Sequence, residues 1–218
     1  MAILPDDLHV TMTVPDIPAE TDPRRASILR HARTQFMREG YAATRIEPIA
    51  RLAGVSTATL YAAFASKEVL FSAVIQDASD DFAAQMAEVH ALEGDARVQL
   101  TTFIAAYARF MRDPFVRSIF RLVMAERPRF RDVAMQFFER GRDYFGAALI
   151  RSIIQLNRRG ELACEKPSWA AGQLMGMVEH PVFFIPLVTG DEVQSCRSVE
   201  QIADDAVETF LARYGRQG

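Results

Sequence analysis

Residues 53–71, AGVSTATLYAAFASKEVLF, constrain the fold more than any other part of this chain. Just before them, residues 46–53 place Ile49 and Leu52 three apart on one face of a short helix. Ala53-Gly54-Val55 then supplies a tight turn. Ser56 is suited to cap a second helix over 57–64, its hydroxyl accepting a backbone N–H that has no intrahelical partner. Leu60 and Phe64, four apart, turn one face of that helix inward and leave Thr57, Thr59 and Tyr61 outward. Two short helices joined by a glycine turn, the second with a polar outer face, predict a helix-turn-helix, a motif that lays its second helix in the DNA major groove.

The flanks agree. Residues 24–38 carry Ile28, Ala32 and Phe36 at i, i+4 and i+8, the stripe of an amphipathic helix. Gly40 stops it, and Tyr41 is placed to pack back onto the bundle. Ser66-Lys67-Glu68 opens a further helix directly after the second short one.

Charge follows the same division. The whole chain carries a formal −3, which by itself does not suggest a nucleic-acid binder. Residues 1–23 hold five acids and no Lys or Arg, whereas residues 24–75 hold eight Lys/Arg against three Glu. The positive segment coincides with the helix-turn-helix, as attraction to phosphate requires.

These residues resemble the TetR family of bacterial transcriptional regulators. The resemblance is carried by Ile28 through Phe36, Gly40-Tyr41, Thr44, Ile49-Ala50, Ala53-Gly54-Val55-Ser56, Thr59-Leu60-Tyr61, Phe64, Ser66-Lys67-Glu68 and Leu70-Phe71. Further along, Arg121-Leu-Val-Met-Ala-Glu-Arg-Pro-Arg-Phe, Gly141 and Gly176-Met-Val-Glu-His-Pro are similar to the AefR-type C-terminal domain of some members. The resemblance implies an obligate homodimer reading a palindromic duplex and a small-molecule effector site in the larger domain. It also implies that Thr44, Thr59, Tyr61 and Lys67 hold the DNA backbone. Arg45 and Thr57 are the candidate base readers, a phosphate contact being the equal alternative for Arg45. Ser56 caps the recognition helix and stands at its phosphate-favouring end. Ala62 and Ala63 depart from the family, which often carries larger side chains there, so the operator does not transfer from a relative. Pro48 falls within the first turn of its helix, where a missing N–H is tolerated.

The organisation expected is an arm over 1–23, rich in proline and read as a passive flexible tail, a DNA-binding domain over 24–72, and an effector and dimerisation domain over 73–218. A long helix begins at Lys67 and runs to about Leu92, where Glu93-Gly94-Asp95 breaks it. The next helix, about 96–112, carries Leu100, Phe103, Ile104, Tyr107, Phe110 and Met111 in one stripe. Asp113-Pro114 caps another through Glu126, and Pro128 is expected to open one more that ends near Gly160. Residues 169–188 are apolar enough to suggest a membrane span, but Gln173, Glu179, His180, Pro181 and Pro186 interrupt them. A helix buried in protein and kinked or broken near Pro181 fits better, with no membrane partner. Ser198-Val-Glu-Gln201 is a capping box for a last helix. The fold expected is all-α, a three-helix helix-turn-helix domain joined to a larger helical domain.

Residues 76–218 hold twelve of the fifteen phenylalanines and six of the nine methionines. Side chains of this kind at helical spacing serve as plain core or line a ligand cavity. Phe82, Met86, Phe103, Tyr107, Phe110, Phe120, Met124, Phe137, Tyr144, Met175 and Phe183 suit an apolar or aromatic effector. Glu179 and His180 are its expected polar anchors, or else a mutually bonded pair at a kink or dimer interface. Read instead as an acid–base pair they suggest an enzyme, but the sequence has no glycine-rich phosphate loop, G-x-S-x-G or HExxH. No catalytic residue, metal ligand or cofactor is assigned. Cys164 and Cys196 are not at metal spacing and are expected as free thiols. No basic region followed by an apolar run opens the chain, so a cytoplasmic bacterial regulator is expected, a repressor in the first instance, with activation or action without a ligand as the alternative.

Overall fold

Gly54 ends the first of the two short helices in the left-handed region, at φ 71°. Its N–H bonds to Arg51 at 3.2 Å, and the next N–H, of Val55, reaches back to Ala50 at 3.0 Å. This double closure needs a positive φ that a residue with a Cβ adopts only under strain, so the glycine sets the hinge.

The structure is a computed structural model that describes residues 22–87 and 94–216, except the side chains at 86 and 87. The expected arm lies outside the described residues apart from Asp22 and Pro23. In chain order the helices are α1 (Pro23–Ala43), α2 (Ile46–Ala53), α3 (Thr57–Ala63), α4 (Lys67–Ala87), α5 (Ala96–Arg112), α6 (Pro114–Glu126), α7 (Arg131–Gly141), α8 (Ala147–Arg158), α9 (Pro167–Glu179), α10 (Ile185–Val188) and α11 (Val199–Tyr214). Two π-helical segments, Arg142–Gly146 and His180–Phe184, join α7 to α8 and α9 to α10. Among the described residues there is no strand, only a bridge between Leu162 and Gly215. The fold is all-α.

Local chemistry starts most helices. Asp22 accepts from the N–H of Arg24 at 3.0 Å, Asp95 from Val98 at 2.9 Å and Asp113 from Phe115 at 2.8 Å. Ser66 accepts from Val69 at 3.2 Å to begin α4. The reciprocal box at α11 is complete: Ser198 accepts from Gln201 N–H at 3.1 Å, and the Gln201 side chain accepts from Ser198 N–H at 3.0 Å.

The chain forms two compact units. Among the described residues, one comprises 22–82 and 118–139, the other 83–87, 94–117 and 140–216. The helix-turn-helix segment falls wholly in the first. Its core is built from Ile28, Phe36, Ile49, Leu60, Phe64, Leu70 and Phe71, all at most 1% exposed. Arg33 fastens α1 to α4 by ion pairs with Asp77 and, at 2.7 Å, with Asp81. In the second unit α5 packs against α8, α9 and α11, and α9 also packs against α8 and α11. Leu100, Ile104, Leu149, Ile153, Leu174, Val178 and Val207 are fully buried there.

Two expectations are corrected. Pro128 does not open a helix: residues 127–130 make a turn in which Arg129 and Phe130 both donate to the Glu126 carbonyl, at 3.0 and 2.9 Å, and α7 starts at Arg131. The long helix expected to end near Gly160 contains a π turn at Arg142–Gly146. Near Pro181, where a kink or break is expected, α9 stops at Glu179 and the chain continues as the second π segment, in which the Ile185 N–H bonds to His180. The helix from Lys67 is described only to Ala87, and the expected break at 93 lies outside the described residues.

The run Pro167–Val188 is long and apolar enough to cross a membrane by length and composition. Its inner side, Ala170, Ala171, Leu174, Val178 and Val182, is nevertheless buried against neighbouring helices of its own unit.

Candidate nucleic-acid interface

α3 divides its side chains as the four-residue spacing predicts. Leu60 and the capping Phe64 are 0% and 1% exposed, while Thr57, Ala58, Thr59, Tyr61, Ala62 and Ala63 face outward. Ser56 accepts from the Thr59 N–H at 3.0 Å, and its Oγ lies 2.8 Å from the Thr59 hydroxyl. Part of the hydrogen-bonding capacity of Thr59 is thereby spent within the cap. What α3 offers outward is Thr57, the half-exposed Tyr61 ring and two methyl groups, beside a helix N-terminus of partial positive charge.

Arg45 is exposed and occupies the N-cap position of α2, where its side chain makes no capping bond. The guanidinium is thus displayed at the cost of leaving the first N–H groups of α2 without a side-chain acceptor. Thr44 departs from its expected role. It is 3% exposed, and its hydroxyl lies 2.7 Å from the Gly40 carbonyl and 3.2 Å from that of Gln35. Its side chain closes the end of α1 and is not presented to a phosphate.

Lys67 takes part in a denser arrangement centred on Tyr41. Its Nζ donates to the Ala42 carbonyl at 3.2 Å and lies 4.5 Å from the centre of the Tyr41 ring. Burial lowers its pKa. The Tyr41 hydroxyl donates to Glu68 Oε1 at 2.7 Å. Burial and that bond push the phenol up to about 12, and the same bond draws the Glu68 carboxyl down to about 2. The Tyr41 ring also meets Phe36, Phe71 and Phe130, and the guanidinium of Arg129 lies 4.8 Å from its centre. Arg129 and Phe130 were not anticipated here, because nothing local ties them to a tyrosine nearly ninety positions earlier.

The residues expected around an effector separate by unit. Phe82, Phe120 and Phe137 lie in the unit that holds the helix-turn-helix, where Phe137 meets Phe120 at 4.9 Å and Phe82 at 6.3 Å. Met124 belongs to the same unit but is 51% exposed. The side chain of Met86 lies outside the described residues. In the other unit, Tyr107, 3% exposed, donates to Glu179 Oε1 at 2.5 Å, and burial followed by that carboxylate drives its pKa well up. Phe145, an unanticipated member, packs its ring 5.6 Å from Tyr107 and 4.9 Å from Phe110. Phe103 is buried on α5, Tyr144 is half-buried in the first π segment, and Met175 and Phe183 are half-buried along α9 and the second. His180 is not beside Glu179 in function: it is exposed and stacks on the exposed ring of Phe184, 5.7 Å between centres. Two surface grooves, of about 470 and about 250 Å³, lie along α9 and α11, and none of the expected effector residues lines either.

A family model described as the AefR-like transcriptional repressor C-terminal domain matches residues 98–216, and one for bacterial regulatory proteins of the tetR family matches residues 28–74. The chain belongs to the TetR family. TetR-family proteins are DNA-binding transcriptional regulators rather than enzymes, and the helix-turn-helix is its DNA-binding element. The chain is similar to the HTH-type transcriptional repressor KstR2 of Mycolicibacterium smegmatis, 38% identical over 66 residues, a match that spans 30% of this chain and 32% of that relative. Among solved structures it resembles a TetR-family transcriptional regulator from Mesorhizobium loti, 26% identical with a TM-score of 0.74 over 91% of this chain and all of that one. It also resembles the flavonoid-responsive regulator FrrA, 26% identical with a TM-score of 0.73 over 89% of this chain and 98% of that one.

Proposed function

We propose that this TetR-family regulator is a repressor that binds a palindromic operator as a homodimer and is released by a small apolar or aromatic molecule. The observation that carries the DNA part is the division of α3: Leu60 and Phe64 lock it to the bundle while Thr57 and Tyr61 stand free on its outer face. In this reading Arg45 and Thr57 reach base edges, and Tyr61, Thr59 and Lys67 hold phosphates, with Ser56 presenting the helix N-terminus. The positive segment 24–75 makes binding strongly salt-dependent. Residues 24–72 form the DNA-binding domain, and residues 73–218 bind the effector and dimerise, in the cytoplasm.

Dimerisation is supported by an unpartnered face on the run through α9 and α10. Trp169, Phe184 and Val188 are 63%, 53% and 68% exposed, and Gly172 and Gly176 open the same run to close approach. Large apolar side chains displayed together mark an association surface. The name of the related FrrA, flavonoid-responsive, supports an aromatic effector, and the buried Tyr107–Glu179 bond offers such a ligand a polar anchor amid phenylalanine.

Selection of duplexes from random DNA tests the reading, followed by titration of a panel of aromatic compounds into the complex. The expected result is a two-fold symmetric site bound by a dimer and released by a compound whose own affinity falls by the same factor when operator is present. Recovery of no preferred duplex overturns the DNA reading. A compound that binds equally with and without operator overturns release as the mode of regulation.

A further inference from the structure

The turn between α6 and α7 carries Arg127, Arg129 and Arg131 within five residues, and all three are exposed. It lies in the compact unit of the helix-turn-helix, although it is far away in sequence. Its conformation is fixed from both sides. The Glu126 carbonyl receives the N–H groups of Arg129 and Phe130, and the Phe130 ring is wedged 4.8 Å from Tyr41 and 4.5 Å from Phe71. Phe130 thus pins the turn to the ends of α1 and α4. Arg129 and Lys67 then meet at one side chain: their charges lie 4.8 and 4.5 Å from the centre of the Tyr41 ring. Burial chiefly lowers the pKa of Lys67, and the neighbouring charge of Arg129 adds to it. Arg131 also stands at the first position of α7, where the helix dipole disfavours a positive charge. Glu126 and Asp132 bracket the run and offset part of its charge. Three exposed cations on one pinned turn, one of them beside Lys67 and one at an electrostatically poor position, are arranged for an external polyanion.

We propose that the 127–131 turn is a second phosphate-contacting segment, which extends the DNA interface beyond the helix-turn-helix by seating Arg129 beside Lys67 on the operator backbone. The inference rests on the reading of Lys67 as a phosphate contact. Because the arginines meet the backbone and not base edges, they add affinity without adding sequence preference. They also make DNA binding depend on the α6–α7 connection, which the usual division of the chain at residue 72 leaves out.

The test compares the wild-type protein with Arg127→Gln, Arg129→Gln, Arg131→Gln and the triple variant, on the duplex recovered by selection and on a random-sequence duplex. Arg158→Gln, at an exposed position on α8, is the charge-matched control. The expected result is that affinity falls by the same factor on both duplexes, and that the slope of log K against log salt shrinks by about 0.9 for each phosphate no longer neutralised. Arg129→Lys keeps the charge and should keep the slope, which separates phosphate binding from stacking on Tyr41. A folded triple variant with the wild-type slope, or a control that loses as much as the triple, overturns the proposal. If the triple variant does not fold, Arg127→Gln and Arg131→Gln decide alone, and two unchanged slopes overturn it. If the wild-type protein binds neither duplex, the reading of Lys67 and of the operator fails first, and the proposal with it.

Discussion

Arg117, 1% exposed, donates from Nε to Oδ1 of Asp191 at 2.6 Å. The same guanidinium reaches the carbonyls of Arg112 and, at 3.4 Å, of Val182. Asp191 holds a positive φ of 70° and presents its carboxylate to the arginine. Asp191→Asn preserves a residue that tolerates this backbone but removes the counter-charge of a buried guanidinium, and should cost about 3 kcal/mol. Arg117→Met leaves a carboxylate that is 28% exposed and should cost less. Urea midpoints of the two variants check the order, and the reverse order refutes this account.

Tyr41 and Glu68 make stability depend on pH at both extremes. The Glu68 carboxyl is lowered to about 2 in the folded chain, so its contribution is present above the ordinary carboxylate pKa and is lost as pH falls toward 2. The Tyr41 phenol is raised to about 12, so its contribution is intact below the ordinary phenol pKa and is lost as pH rises toward 12. Tyr41→Phe removes the bond at every pH. The stability gap between wild type and this variant should be widest on the neutral plateau and narrow toward both ends in denaturant titrations.

At Arg45 stability and binding should move in opposite directions. Arg45→Ser supplies the side-chain cap that α2 lacks and should stabilise the fold by about 1 kcal/mol. It removes the guanidinium and should relax one base preference per half-site, losing roughly 1–3 kcal/mol of discrimination. A raised melting temperature with an unchanged binding-site preference would show that Arg45 reads no base.

Trp169→Glu or Phe184→Glu places a charge on the exposed face of α9 and the following π segment. Each should yield a folded monomer by sedimentation and abolish cooperative binding to a two-fold duplex, while α1–α3 keep their helicity. A dimer unaffected by both changes moves the interface elsewhere.

Tyr107→Phe deletes the donor to Glu179 and should destabilise the fold by roughly 1.5–3 kcal/mol, the range for a bond to a charged group. If the effector competes for that carboxylate, the variant also changes the effector concentration needed for half-release. Operator affinity without effector should stay the same.

What the sequence made legible was chemistry with a short reach. The glycine hinge at 54, the caps at Ser56, Asp113 and Ser198 and the inward pair Leu60 and Phe64 each depend on residues within four positions, and the structure has each of them. Partners distant along the chain left no such trace. Arg117 reads as one exposed arginine among many until Asp191, 74 positions on, neutralises it. Phe145 and Phe130 gain their roles from rings on other helices. Thr44 was misplaced because the resemblance fixes its position and not its rotamer, and the end of α1 had more use for its hydroxyl.

The π segment at His180–Phe184 also sets the phase of everything after it. Such a turn holds one residue more than the α-helix it interrupts, and one residue is about 100° of rotation. Phe184 and Val188 therefore point where they do, relative to Trp169, by virtue of a single-residue insertion. Deleting one residue between 180 and 184 would restore a regular helix and swing that end of the apolar face toward another quadrant. Among descendants of one gene, a copy that lost the residue would no longer match a copy that kept it. If that face is the dimer interface proposed above, two duplicated regulators would then stop forming mixed dimers in one step, by a change of length that leaves every remaining side chain as it was.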